Sequence, residues 1–189
     1  HEAHFHDRLV ALEPKLRRAA DFILAGYDTI IPKVGHTVNR VIIAAKAFGT
    51  CGLVLGDERM IAASRRLIAH ALTLRDAEGV FIEKGGRDSS YNVVSILFGQ
   101  VLALHLPLPE FEAALPAAVA WQLTRILPTG EVDVSGNTRT GIGSEADAFS
   151  GKTKNVNYTE VMMALTLYGT IRRDKEVLAA ADRVFAFTR

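Results

Sequence analysis

Apolar residues recur at helical spacing along most of the chain, and glycine and proline divide the pattern into seven helical segments. The first predicted helix runs from about Asp7 to Ala25. Leu9, Leu12, Leu16, Ala20 and Ile23 share one face, Lys15, Arg17 and Arg18 point away, and Gly26 ends it. A loop with Pro32 and Gly35 leads to a second helix over Thr37 to Leu55. Asp57 starts a third, which continues to about Leu74. Val80, Phe81 and Ile82 stand between glycines, which predicts a short strand or β-hairpin within residues 76–90. The fourth helix spans Ser90 to about Leu106, where Pro107 and Pro109 break it. The fifth covers Pro109 to Leu127, with Pro116 as a candidate kink. After a long loop from Pro128 to Val156, the sixth spans Asn157 to Ile171. Asp174 opens the seventh, which reaches Phe187.

The even-numbered segments resemble one another. VNRVIIAAKAFGT from Val38 aligns without a gap with YTEVMMALTLYGT from Tyr158, and YNVVSILFGQVLA from Tyr91 fits the same frame less closely. They are apolar nearly all round, as helices buried on several sides are, whereas the odd-numbered helices are amphipathic. The pattern therefore predicts three outer-loop-inner αα-hairpins in one domain over residues 1–189. Gly49 and Gly169 recur at the same place in the frame, which predicts close helix contact there.

If the inner helices run in one direction, their N-termini share a rim with the three longer loops. His36, Thr37 and Asn39 fall there, then residues 87–92, then Asn155, Asn157, Tyr158 and Glu160. Helix N-termini offer free N–H donors and a partly positive field, which suits an anionic or hydroxyl-rich ligand. The same residue types are helix caps: Asp88, Ser89, Ser90 and Asn157 precede apolar runs, and NYTE has the spacing of a capping box. Tyr91 and Tyr158 are not explained by capping. They follow the caps at matching positions, either as core packing or as two phenols lining a polar cleft.

The long loop adds five glycines between Gly130 and Gly151 and the charges Asp133, Arg139, Glu145, Asp147, Lys152 and Lys154. Asp133, Ser135 and Asn137 alternate as in a calcium loop, but no glutamate closes one at the required distance. His1, His4 and His6 cluster at the start, where a chain end offers no rigid platform for a metal. No metal and no cofactor is assigned. The single cysteine, Cys51, excludes an internal disulfide and lies in an apolar run. The net charge of +1 argues against a dedicated nucleic-acid or membrane-surface binder, and the Val41–Leu55 run, interrupted by Lys46, reads as a buried helix. An opening on His1 rather than Met is compatible with a secreted or periplasmic protein after removal of its leader, or with a trimmed end.

Three repeated hairpins, a polar rim and the loop GVFIEKGGRDSSYN leading into an inner helix resemble the (α/α) toroid superfamily, which includes polysaccharide lyases and six-hairpin glycosidases. The resemblance implies an all-α fold, an incomplete (α/α) toroid of about three helical hairpins with a short β-hairpin in the loops. Three hairpins are fewer than such enzymes carry. That implies part of a larger protein, or a cleft completed by self-association. It also implies an oligosaccharide or polysaccharide partner and lyase-like action on an acidic polysaccharide. Proton abstraction beside a carboxylate needs a base and a group that neutralises the carboxylate. Tyr91, Tyr158 and His36 are the candidate bases. Arg87, Asn92, Arg139 and Asn157 are the candidate neutralising groups, and Lys152 and Glu160 complete the substrate-binding set. A glycoside hydrolase would instead pair Asp88 with Glu145, Asp147 or Glu160. A non-catalytic glycan- or protein-binding helical repeat needs neither arrangement.

Overall fold

The computed structural model describes residues 2–141, 145–146 and 150–189, the side chains of residues 2–6 and 9 excepted. Among these the protein is an all-α bundle. Eight α-helices follow in order: α1 (Glu2–Ala25), α2 (Ile30–Val34), α3 (Val38–Leu55), α4 (Glu58–Thr73), α5 (Ser89–Ala103), α6 (Pro109–Thr124), α7 (Tyr158–Arg172) and α8 (Lys175–Phe187). A single 3-10 turn, Tyr27–Thr29, precedes α2. That turn and α2 occupy a stretch the sequence pattern assigns to a loop. His1 and the side chains of His4 and His6 lie outside the described residues, as does Asp147.

The helix starts follow their caps. Asp57 accepts from the backbone N–H of Arg59 ahead of α4, and Asp174 accepts from Glu176 and Val177 ahead of α8. Gly56 closes α3 in the left-handed conformation at φ 62°, which lets the chain reverse within two residues into α4. Pro14 and Pro116 both sit inside continuous helices.

Two features differ from the sequence expectation. The short β-hairpin does not form, and the described residues contain no β-strand. Lys84 (φ 53°) and Gly85 (φ 85°) do make a tight two-residue turn, with Glu83 and Gly86 exchanging both backbone hydrogen bonds. The flanking residues then diverge. Glu83 pairs across to Thr37, while the Arg87 carbonyl accepts from Thr138, so each bridge stays isolated and no ladder develops. The helix pairing also differs. Short turns make antiparallel neighbours of α3 and α4, α5 and α6, and α7 and α8, while α5 packs more extensively on α3 and α7 than on α6. These are inner-turn-outer pairs, not the outer-loop-inner hairpins of the toroid expectation. The inner helices form an open row in which α5 lies between α3 and α7. The architecture is thus a helical bundle rather than an incomplete (α/α) toroid.

The core runs along that row. Ile42, Phe48, Ile96, Leu102, Phe111 and Leu165 are almost wholly buried, and the Phe81 and Phe111 rings stack at 5.9 Å. Each inner helix turns a glycine toward its outer partner. A Cβ on Gly49 would lie 2.8 Å from Ser64 Oγ, and one on Gly169 would lie 2.8 Å from Leu178 Cγ. Gly99 abuts the Phe111 ring. Close helix contact at Gly49 and Gly169 is therefore real, because no side chain fits at that separation. α3 is long and apolar enough to cross a membrane by length and composition, and half of it is buried against its neighbours. α1 packs thinly. Of the five residues expected on its buried face, Ala20 is buried, Leu12, Leu16 and Ile23 are exposed, and the Leu9 side chain is outside the described set.

Candidate functional site

The loops that precede α3, α5 and α7 are stitched together at one end of the bundle. Lys84 N–H donates to the His36 carbonyl, Thr138 N–H to the Arg87 carbonyl and Gly141 N–H to the Lys154 carbonyl. Thr138 Oγ1 donates to the Glu83 carbonyl, and the Ser89 N–H donates to Asn137 Oδ1. The backbone around Asn137 and Thr138 thereby lies across the start of α5.

Asp88 is the centre of that arrangement and is completely buried. Its Oδ1 caps α5 by accepting from the N–H groups of Ser90 and Tyr91, at 3.0 and 3.1 Å. Its Oδ2 accepts from the N–H groups of Arg139 and Thr140, at 2.9 and 2.8 Å, and Thr140 Oγ1 donates to Oδ1. Both oxygens are saturated with donors, so the carboxylate holds the loop to the helix and has no lone pair left for chemistry.

Arg139, pinned by this cap, is only 4% exposed. Its Nη1 bonds Glu83 Oε1, its Nε donates to Glu145 Oε2 at 2.7 Å, and its guanidinium lies over the Tyr91 ring, 4.1 Å from the centroid. The two carboxylates on this one arginine are in opposite environments. Glu83 is 1% exposed, and burial pushes its carboxyl above the usual range against the pull of Arg139. Among the described residues its Oε2 closes no hydrogen bond, nor does Oδ1 of buried Asn39. Glu145 is about one-third exposed and receives three cations: Lys154 Nζ at 2.9 Å, Lys84 Nζ at 2.7 Å and Arg139 Nε. Its hydrogen bonds to these three, that of Lys154 foremost, hold it well below the usual carboxylate range.

Beside this cluster lies a polar pocket of about 370 Å³, lined by Tyr91, Ser150, Lys152, Thr153, Lys154 and Asn155. A smaller one of about 230 Å³ shares Thr153, Lys154 and Asn155 and reaches Tyr158. The structure thus brings Tyr91 and Lys152 to one mouth, with Arg139 buried against the Tyr91 ring and Asp88 buried as the cap of α5.

The other candidates fall elsewhere. Tyr158 lies in the adjoining pocket, where its ring packs on Phe187 and its hydroxyl accepts from Val132 N–H at 3.4 Å. Arg87 is tied to Asp76 and Glu78 and faces Trp121. Asn92 is buried and structural. Its Oδ1 accepts from Phe81 N–H, and its Nδ2 donates to the Ala118 carbonyl and Gln122 Oε1. Asn157 caps α7 through Glu160 N–H, and burial raises the Glu160 carboxyl against that contact. His36 is exposed, and its backbone carbonyl, not its ring, makes the link to Lys84.

Glu83 and Lys84 were not singled out in the sequence. The available signal was a charged pair set between the apolar Phe81-Ile82 and the Gly85-Gly86 turn, where an apolar run meets a tight reversal. Among the described residues no group of three or more His, Cys, Asp or Glu is placed to hold a metal ion. No protein-family model, no curated protein and no solved structure matches the chain.

Proposed function

We propose that the Tyr91 pocket binds an acidic saccharide and that the protein acts on it as a lyase-like enzyme. One juxtaposition carries the reading: a phenol and the lysines 152 and 154 line a pocket of sugar-ring size, and a buried guanidinium stacks on that phenol's ring. A uronate bound there would set its carboxylate against the cations and its ring hydroxyls against Asn155, Thr153 and Ser150. The cations stabilise the charge that builds on the carboxylate when the adjacent C–H is deprotonated. Tyr91 Oη is the base. It takes the proton from the carbon bearing the carboxylate, the electron pair forms a double bond to the neighbouring ring carbon, and the glycosidic C–O bond on that carbon breaks. Tyr91 Oη passes that proton to the departing oxygen and so returns to its starting state, and the products are an unsaturated uronate and a shortened chain.

A hydrolase would need two carboxyl groups facing the sugar. Asp88 is enclosed and saturated and Glu145 is held by three cations, so that alternative has less to stand on.

The test is a panel of uronate polymers followed by the ultraviolet absorbance of the unsaturated product. Absorbance should rise with at least one polymer and be lost in Tyr91→Phe. No rise with any of them overturns the catalytic reading. Binding that persists without product points to a glycan-binding domain instead.

A further inference from the structure

Three cations converge on one carboxylate that is about one-third exposed, and one of the three, Lys154, also lines the Tyr91 pocket, so the group is a carboxylate-binding device already filled. We infer that Lys84, Arg139 and Lys154 are the subsite for the ligand's carboxylate, and that Glu145 occupies it as an internal competitor in the unliganded protein. This rests on the acidic-saccharide reading above and extends it to the residues that read the acid group.

Three observations support it. Arg139 is fixed independently of Glu145. Its backbone N–H is held by Asp88, its Nη1 by Glu83 and its planar face by Tyr91, so its Nε position survives if Glu145 departs. Lys154 belongs to both structures, since it binds Glu145 Oε2 and lines the Tyr91 pocket. Among the described residues, departure of Glu145 would leave the Arg139 guanidinium paired with buried Glu83, above buried Asp88, and would take from Lys84 and Lys154 the carboxylate they share. The excess positive charge would then be met by an incoming anion. A ligand carboxylate would take over the bonds at Arg139 Nε and the two ammonium groups, each at hydrogen-bonding distance from a carboxylate now.

Competition has a definite signature. Where only a fraction of molecules has the subsite open, apparent affinity is reduced by that fraction. Removing the competing charge therefore tightens binding, whereas removing a merely structural ion pair does not. The experiment is isothermal titration calorimetry of the full chain and its Glu145→Gln variant. The probes are tetrasaccharides of galacturonate, glucuronate, mannuronate and guluronate, with a neutral glucose tetrasaccharide as control.

Glu145→Gln should bind at least one uronate about tenfold more tightly than the parent protein and leave the neutral probe unchanged. Lys154→Ala should bind that uronate more weakly, and adding it to Glu145→Gln should cancel the gain. Should Glu145→Gln not fold, weaker uronate binding by both Lys84→Ala and Lys154→Ala, with increased uronate affinity in Glu145→Asp, whose shorter arm reaches fewer of the cations, is the supporting result. Equal or weaker uronate binding by a folded Glu145→Gln overturns the inference, as does the absence of binding in every variant. Tighter binding without any unsaturated product would retain the subsite and remove only the catalytic reading.

Discussion

Asp88 and Glu145 are both carboxylates of the same small region, and they are held in different ways. Asp88 is enclosed by backbone N–H groups from two segments of the chain and by the Thr140 hydroxyl, all within 3.1 Å. Its partners are main-chain atoms that cannot move without unwinding α5 or releasing the loop. Glu145 is held by the ends of three long side chains and is partly open to water. The floor of the site is built from backbone hydrogen bonds and the mouth from flexible charged side chains. A floor of that kind fixes geometry, while a mouth of this kind can exchange partners with a ligand.

That contrast is most easily broken at Asp88. Asp88→Ala strips the cap from α5 and leaves buried N–H donors at Arg139 and Thr140 without an acceptor. Urea denaturation should register a loss of about 3–5 kcal/mol. A loss below about 1 kcal/mol would mean that the loop is not anchored here. Asn92→Ala belongs to the floor as well. It removes links from the Phe81 backbone and α6 to α5, for a loss of about 2–3 kcal/mol in the same measurement. If Asn92 instead served a ligand, the variant would keep its stability and lose binding.

Tyr91→Phe probes the mouth. Stability should stay within about 0.5 kcal/mol of the parent, while product formation falls by about 10²-fold or more. A large stability change with unaltered binding would reassign Tyr91 to packing.

The two carboxylates on Arg139 allow a subtler comparison by pH. Burial raises Glu83, so its protonated form is favoured by folding. The stability it contributes is full below the unfolded value of 4.5 and declines as pH rises through its higher folded value. Glu145 is lowered, so its contribution is full above 4.5 and is lost as pH falls toward its folded value. Thermal melts against pH should therefore show that Glu145→Gln flattens the acid side of the profile, whereas Glu83→Gln flattens the decline above 4.5. Matching changes in the two variants would show that the carboxylates titrate as one unit rather than as separate floor and mouth groups.

Much of the helical framework was legible from residue patterns. Caps at Asp57, Asp88, Asn157 and Asp174 marked four helix starts, because a short side-chain acceptor before an apolar run satisfies N–H groups the helix cannot. The recurrent Gly49 and Gly169 announced tight helix contact. The residue pattern puts Tyr91 on one rim, with the long loop that carries Arg139 and Lys152 gathered beside it, on the premise that the inner helices run in one direction.

Other features depended on contacts between distant residues. The Phe81 segment has strand-like composition, yet beyond the Glu83–Gly86 turn its backbone bonds to Leu74, His36, the Asn92 side chain and Thr138 instead of to a partner strand. Asn92 and Arg87 read as ligand-binding groups, and the fold meets them with partners from within the chain, because a polar side chain carries no sign of which partner meets it. Glu83 and Glu145 are the same residue type, and the sequence alone assigns them no difference. Only the folded chain buries one beneath Arg139 and surrounds the other with ammonium groups. Local chemistry set the helices and their ends in this protein. Which carboxylate is sealed and which remains open to exchange was decided by tertiary packing, since desolvation and charge proximity exist only once segments far apart in sequence have met.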